Sequence, residues 1–558
     1  MSIFILFVSI TLFLFGLHLI QYNEIDDYMI QEILAGYYGL SDTHVLYVHV
    51  WLANLFVILF KLVHSINWYA LFLVGSQLII FTLLTQRFME KQQHSRLRYL
   101  VLLFFVVPVY LLITINLQYT IVAYCYLLFS LVCQLSYYDS HRRYDFMLMV
   151  ITFVLAILIR HVVFVSYLFF ALGIGIYEIM RHRHPKKRVS TFRVFMEINV
   201  VLCIVYGILF FFQWQSYQDE QHRFYYQYDK QRSLLNDTAY LEKTNEITDQ
   251  AGWSENDLRL FRLFSAGDET VFSYDRVAAI NCMNKEINGV SRFIHFDGVS
   301  LFHYITENSQ QFYDFLKLVF LLPSTYLLLV YLFLCFALKA SRKKKLLFLL
   351  PGILQYLLFI LLGRDIFRVV YPVLFIPAFL LLLNARLSRK LFCKHISFQM
   401  VLIFLLLAQP LSYIFFTSSD TWENIEYNET TYSKLLAYLN NHPENAYVYP
   451  THTLQLRYYQ NNIFAIPPEG ILQNIHPLGS WSMYDSKYYR FKENYQIESL
   501  YSSLLTSDHY YLIDHQDLSY LPIISPFLKE HYTNEKEIEF QELTSIDYLT
   551  IYQVRVKN

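Results

Sequence analysis

The chain has 558 residues, 55% apolar and only 16% charged, with a mean hydropathy of +0.32 and a formal net charge of −1. A soluble domain carries about 25% charged residues, so the composition argues against a soluble enzyme, and the near-neutral balance argues against a nucleic-acid binder. The six cysteines form no CxxC pair, which leaves no disulfide framework or cysteine metal motif to read.

Twelve apolar runs follow in order, at about 3–20, 45–63, 66–86, 99–116, 119–136, 146–159, 161–180, 192–213, 313–338, 346–362, 369–384 and 396–416. The first lacks a basic leader and a small-residue cleavage site, and reads as an uncleaved signal anchor. Basic clusters lie at 87–98, at Arg142 and Arg143, at 181–188, at 342–345 and at 386–394. All of them fall on the cytoplasmic side if run 45–63, the most polar of the twelve, does not cross. The expectation is therefore a polytopic α-helical membrane protein of about eleven transmembrane helices. Residues 41–63 form an outer juxtamembrane or re-entrant helix, the N-terminus is cytoplasmic and the C-terminus extracytoplasmic.

Three segments then face outward: 21–65, 214–312 and 417–558. The first is a loop with a juxtamembrane helix, and the second reads as mostly helical. The third reads as an α/β domain, with strands at AYVYP (446–450), YYLID (510–514) and YLTIYQV (548–554) and a helix at SPFLKEHY (525–532). Residues 1–416 form the transmembrane module.

Four features carry candidate chemistry. NEIDDYMIQE (23–32) places Asp26 and Asp27 side by side just after the first run. They fit a general base beside a second acid, or a solvated interfacial loop. A helix here puts Glu24, Asp27, Tyr28 and Gln31 on one face and Asp26 about 100° away. In AILIRHVVFV, Arg160 interrupts apolar text, as a phosphate ligand or as a snorkelling interfacial cation. In LLGRDIFRVVYP, Arg364 and Arg368 sit at an outer turn, against the positive-inside trend. A lipid-linked phosphate would explain them, and so would pairing with Asp365. Finally, Trp253 and Trp481 stand in aromatic–polar outer text and fit either sugar stacking or packing. Phosphate-loop, dinucleotide, zinc-protease and nucleophile-elbow motifs are absent.

An acid pair opening the first outer loop, a juxtamembrane helix and arginines at later outer turns together resemble the GT-C superfamily of membrane glycosyltransferases. LIRHVVFVSYLFF and RDIFRVVYP are similar to that family's arginine-bearing outer segments. More narrowly, DDYMIQEILAGYYG, INWYALFL, LQYTIVA, GWSENDLRLF and RVVYPVLF resemble an uncharacterised Gram-positive surface-polysaccharide branch. The likeness covers about residues 1–416.

The resemblance implies transfer of a sugar from a polyprenyl-phosphate donor to a cell-surface glycan or lipid-linked acceptor at the outer face of the cell membrane, as in cell-wall polysaccharide biosynthesis. It implies Asp26 and Asp27 as catalytic acids, Arg160, Arg364 and Arg368 as donor-phosphate ligands, and His44, Trp253 and Trp481 as weaker acceptor contacts. It implies no firm cofactor or metal ligand set, although a divalent cation fits beside two acids. The partners are then the lipid-linked sugar, its acceptor and membrane lipids, with no nucleic acid. Two departures bear on the acceptor: the second acid is Asp where many members have Glu, and the His-Pro-Pro text of some branches is missing beside His44. A transporter or flippase of lipid-linked sugars, or a non-catalytic assembly protein, is the alternative.

Overall fold

A computed structural model of the chain describes residues 2–92, 97–238, 252–288, 327, 329–334, 338–361, 366–388, 397, 400, 429–454 and 462–557. Arg364, Asp365 and most of the apolar runs expected at 313–338 and 396–416 lie outside these residues.

The helical part begins with α1 (Ser2–Gly16), α2 (Ile25–Ala35) and α3 (Val50–Leu62). Six longer helices follow: α4 (Trp68–Lys91), α5 (Leu97–Ile115), α6 (Tyr119–Ser140), α7 (Arg143–Ile159), α8 (Val163–Arg181) and α9 (Pro185–Ser216). Then come α10 (Glu220–Ser233), α11 (Glu255–Arg262), α12 (Tyr274–Asn288), α13 (Arg342–Leu361) and α14 (Phe367–Asn384). Among the described residues, six helices are long and apolar enough to cross a bilayer: α4, α5, α6, α8, α9 and α14. The 13 residues of α3 span about 20 Å, short of a hydrocarbon core of about 30 Å.

Side chains cap several of these helices where the backbone leaves N–H groups unpaired. Asn67 accepts from the Ala70 N–H at α4, Gln118 from Thr120 and Ile121 at α6, and Asp219 from His222 at α10. Gly36 ends α2 at φ +77°, a left-handed cap that glycine adopts without strain. Helix α6 is the centre of the bundle. It is 94% buried over its apolar window and packs on α7, α14 and α4. By contrast α9 is 17% buried over its own window, so most of its apolar surface is uncovered among the described residues.

A two-residue parallel pair fixes the position of α2. β1 (Gln21–Tyr22) pairs with β2 (Asn116–Leu117), and the Asn23 N–H extends the pairing to the Leu117 carbonyl at 2.9 Å. The loop after α2 is tied to other helix ends: the His49 N–H donates to the Leu158 carbonyl, and the Val50 N–H to Gln213 Oε1.

The C-terminal residues build a five-stranded sheet from β5 (Ala446–Tyr449), β6 (Ile475–Pro477), β7 (Tyr510–His515), β8 (Ile538–Ile546) and β9 (Leu549–Val556), in the order β6-β5-β7-β9-β8. A short pair, β3 (Leu338–Lys339) with β4 (Arg386–Leu387), lies apart from it. β5 pairs in parallel with β6 and β7, whereas β9 runs antiparallel to β7 and β8. All four residues of β5 are buried, as an inner parallel strand requires. Helices α15 (Ser486–Asn494), α16 (Ser503–Thr506) and α17 (Leu521–Leu528) connect the strands. This unit packs on the loop that follows α2. The N–H groups of Gly470 and Leu472 donate to the carbonyls of Gly36 and Tyr37 at 3.0 and 2.8 Å.

Candidate active site

The first turn of α2 points its two acids in different directions. Asp27 is fully buried. Its Oδ1 accepts the Tyr69 hydroxyl at 2.7 Å and the Tyr119 backbone N–H at 3.2 Å. Its Oδ2 is buried with no partner among the described residues. Burial pushes the Asp27 carboxyl well above the usual carboxylate range; the neighbouring Asp26 adds to this, while Tyr69, Tyr119 and Arg368 oppose it. Asp26 takes the other direction, where its Oδ2 accepts Arg368 Nη1 at 3.1 Å. Glu24, the N-cap residue of α2, stands 3.5 Å from the same nitrogen.

Arg368 is the second residue of α14, and Arg160 is the residue that ends α7. Arg160 Nη1 donates to the Tyr119 hydroxyl at 2.8 Å, and its guanidinium lies 4.7 Å from the Tyr47 ring centroid and 5.3 Å from that of Tyr119. The Tyr119 phenol lies within electrostatic reach of Arg160, Asp26, Arg368 and Asp27 together. Two carboxylates and two guanidiniums therefore surround one tyrosine at the ends of α2, α6, α7 and α14.

Trp481 joins this zone through Tyr47, with ring centroids 5.1 Å apart. Its Nε1 is buried and unpartnered among the described residues. Trp253 is placed differently. It packs on Phe261 and Phe272, is 3% exposed, and donates its indole N–H to the Val271 carbonyl at 2.8 Å. No described contact joins it to the acid pair, and neither ring face is open to a sugar. His44 turns to Asp42 at 3.1 Å and stacks on His222 with centroids 3.6 Å apart.

Two groups of side chains have the ligand types a cation needs: Asp42, His44 and His222, and Asp257, Glu530 and His531. In the first, near-parallel stacking of the imidazoles keeps their in-plane lone pairs from converging, and Asp219 takes His222 Nδ1 at 2.8 Å. Burial works against the Asp42 carboxylate, but hydrogen bonds from His44 and Ser486 outweigh it and hold its pKa well below the usual range. In the second, Ser254 and Asn256 already occupy both oxygens of Glu530. Both groups are satisfied hydrogen-bond networks as they stand.

Several site residues gave no signal in the sequence. Tyr47, Tyr69 and Tyr119 are three of 48 tyrosines, and only the fold reveals their roles. A second cluster was also silent. Glu32 Oε1, Asp485 Oδ2 and Lys487 Nζ are all buried without hydrogen-bond partners among the described residues. Lys487 Nζ lies 4.0 Å from Asp485 Oδ2 and 4.3 Å from the Tyr38 ring centroid.

No protein-family model matches the chain, and no curated protein matches it. Among solved structures it is similar to ArnT from Cupriavidus metallidurans bound to undecaprenyl phosphate, at 12% identity and a TM-score of 0.37, covering 98% of this chain and 97% of that one. The apo state of the same protein gives 11% identity with the same coverage and TM-score.

Proposed function

We propose that the chain is a membrane glycosyltransferase that moves a sugar from a polyprenyl-phosphate donor to a cell-surface glycan or lipid-linked acceptor at the extracytoplasmic face. One observation carries the reading: Asp26 and Arg368, from distant parts of the chain, meet at 3.1 Å beside a second acid and a second arginine.

The pair suits displacement at an anomeric carbon. A donor phosphate draws Arg368 toward itself and frees the Asp26 carboxylate. Asp26 then takes the proton of the acceptor hydroxyl as that oxygen bonds to the anomeric carbon. The bond from that carbon to the phosphate oxygen breaks, and polyprenyl phosphate leaves with its new negative charge held by Arg368 and Arg160. Asp27 acts as a positioning acid that fixes α2 against α4 and α6. Arg364 joins the phosphate ligands in this reading, while Trp481 packs beside Tyr47 on the acceptor side. Such a donor carries its own leaving phosphate, so no nucleotide loop is needed.

A transporter of lipid-linked sugars would place its charges near the bilayer midplane. Here they sit in the first turn of α2, at the end of α7 and at the start of α14. The deciding experiment compares surface glycans in wild type, a deletion strain and the deletion carrying Asp26→Asn. The expected result is a sugar lost on deletion and not restored by the variant. Full restoration by a correctly inserted Asp26→Asn protein would sink the assignment of this base.

A further inference from the structure

A cleft of ≈ 230 Å³ opens where α10 meets the C-terminal end of α9, with His49 and His161 also in its lining. Its wall toward the bilayer is apolar, formed by Leu46, Ile157, Phe210 and Trp214. Phe210 and Trp214 are 46% and 52% exposed. They belong to a 32-residue helix, about 48 Å long, most of whose apolar surface is uncovered among the described residues. Aromatic side chains at a helix end of this kind mark the boundary between hydrocarbon and headgroups.

The opposite wall is one face of α10. Arg223, Tyr226, Gln227 and Lys230 follow the i, i+3, i+4, i+7 spacing, and all four are exposed and line the cleft. Among the described residues, Arg223 and Lys230 make no ion pair, whereas Arg232, two residues on, is paired with Asp229 at 2.7 Å. No aspartate or glutamate lines the cleft. At its base Tyr217 is 4% exposed, and its hydroxyl is buried without a partner among the described residues.

We propose that this cleft binds an anionic glycerophospholipid of the phosphatidylglycerol type, with its chains along α9 and its phosphate between Arg223 and Lys230. The occupant follows from the two walls. Unpaired cations with no acid among them call for an anion, and exposed aromatic and aliphatic side chains below call for acyl chains. The volume is about eight water molecules' share, the scale of one phosphodiester with its glycerol. Tyr226 and Gln227 supply donors and acceptors for the glycerol hydroxyls. The site is separate from the acid pair and does not rest on the transfer reaction.

The test uses the full chain in lipid nanodiscs, without any sugar donor. Trp214 fluorescence, isolated by subtracting a Trp214→Phe variant, is quenched by phosphatidylglycerol or phosphatidylcholine brominated on the chains. The charged lipid should quench at about tenfold lower mole fraction. Arg223→Gln with Lys230→Gln should abolish that preference, and Arg223→Lys should keep it, because both positions are exposed and the second change preserves charge. Inorganic phosphate should not relieve the quenching. Equal quenching by the two lipids, a preference that survives in the double variant, or relief by inorganic phosphate or by polyprenyl phosphate would each overturn the proposal.

Discussion

Tyr119 holds Arg160 through its hydroxyl at 2.8 Å while its own backbone N–H donates to Asp27 at 3.2 Å. One residue at the start of α6 thus sets an acid and an arginine in fixed relation. The two bonds separate cleanly by mutation. Tyr119→Phe removes the hydroxyl and keeps the N–H, so α2 should stay in place. The expected cost is about 1 to 2 kcal/mol of donor binding, read as a KM for the lipid-linked donor raised roughly tenfold with kcat little changed. A change confined to kcat would place Tyr119 in the chemical step instead.

The Asp26–Arg368 pair is partly buried, with side chains 15% and 22% exposed. Arg368→Gln leaves Asp26 and Glu24 facing each other without the cation. We expect a loss of about 1 to 3 kcal/mol in stability and of donor binding. Adding Asp26→Asn should recover much of the stability and none of the activity. A double-mutant cycle on melting temperature measures this coupling, and additive losses would show that the pair is not a unit.

Asp27 has a raised pKa, so the folded chain holds a proton there to higher pH than the unfolded chain. Stability then falls as pH rises from the ordinary aspartate range to the raised value. Asp27→Asn keeps an acceptor for Tyr69 and Tyr119 and removes the ionisation. It should melt at least as high as wild type at neutral pH and show a shallower decline with pH, the part that remains belonging to other buried carboxyls. Asp27→Ala leaves two donors unsatisfied and should cost about 2 to 4 kcal/mol. An Asn variant as unstable as the Ala variant would show that the buried charge itself is required.

Glu32 and Asp485 give a second pH effect. Burial pushes each carboxyl up to about 7, while Lys487 nearby works against the shift. Burial pushes the Lys487 ammonium down. Between about pH 4 and about 7 the folded chain holds more carboxyl protons than the unfolded chain, so stability declines with pH across that window. The lowered lysine acts in the opposite sense at higher pH. Glu32→Gln removes a penalty of about 3 kcal/mol at full ionisation and should flatten the decline in thermal melts. A wild-type melting temperature that rises from about pH 5 to about 7 would contradict this.

The parts legible in the sequence were those where a residue type is costly in its setting. Two acids after an apolar run, and arginines inside or between such runs, stand out because hydrocarbon penalises them. Strands β5, β7 and β9 were visible as runs of aromatic and β-branched residues. β8 was not: the alternation that starts at Ile538 and Phe540 is broken by an irregularity between Glu542 and Thr544, so the period of two does not run through the strand. β6 has three residues, one of them proline, too few to show a pattern. Trp253 and Trp481 read alike in sequence, and packing alone separates them. Tyr119 carries no local mark, since its role comes from the β1–β2 pairing that brings α2 to the start of α6.

The 342-residue separation of Asp26 and Arg368 also sets a timetable. At ribosomal speeds of 5 to 20 residues per second, the cation is made roughly 20 to 70 s after the acid. The β1–β2 pairing that places α2 needs only residues up to Leu117, so this part of its seat is available before the counter-ion is made. Nascent chains halted before Arg368 should therefore carry an acid-bearing α2 that still takes up protons and soluble cations, and its charge is met only when α14 arrives.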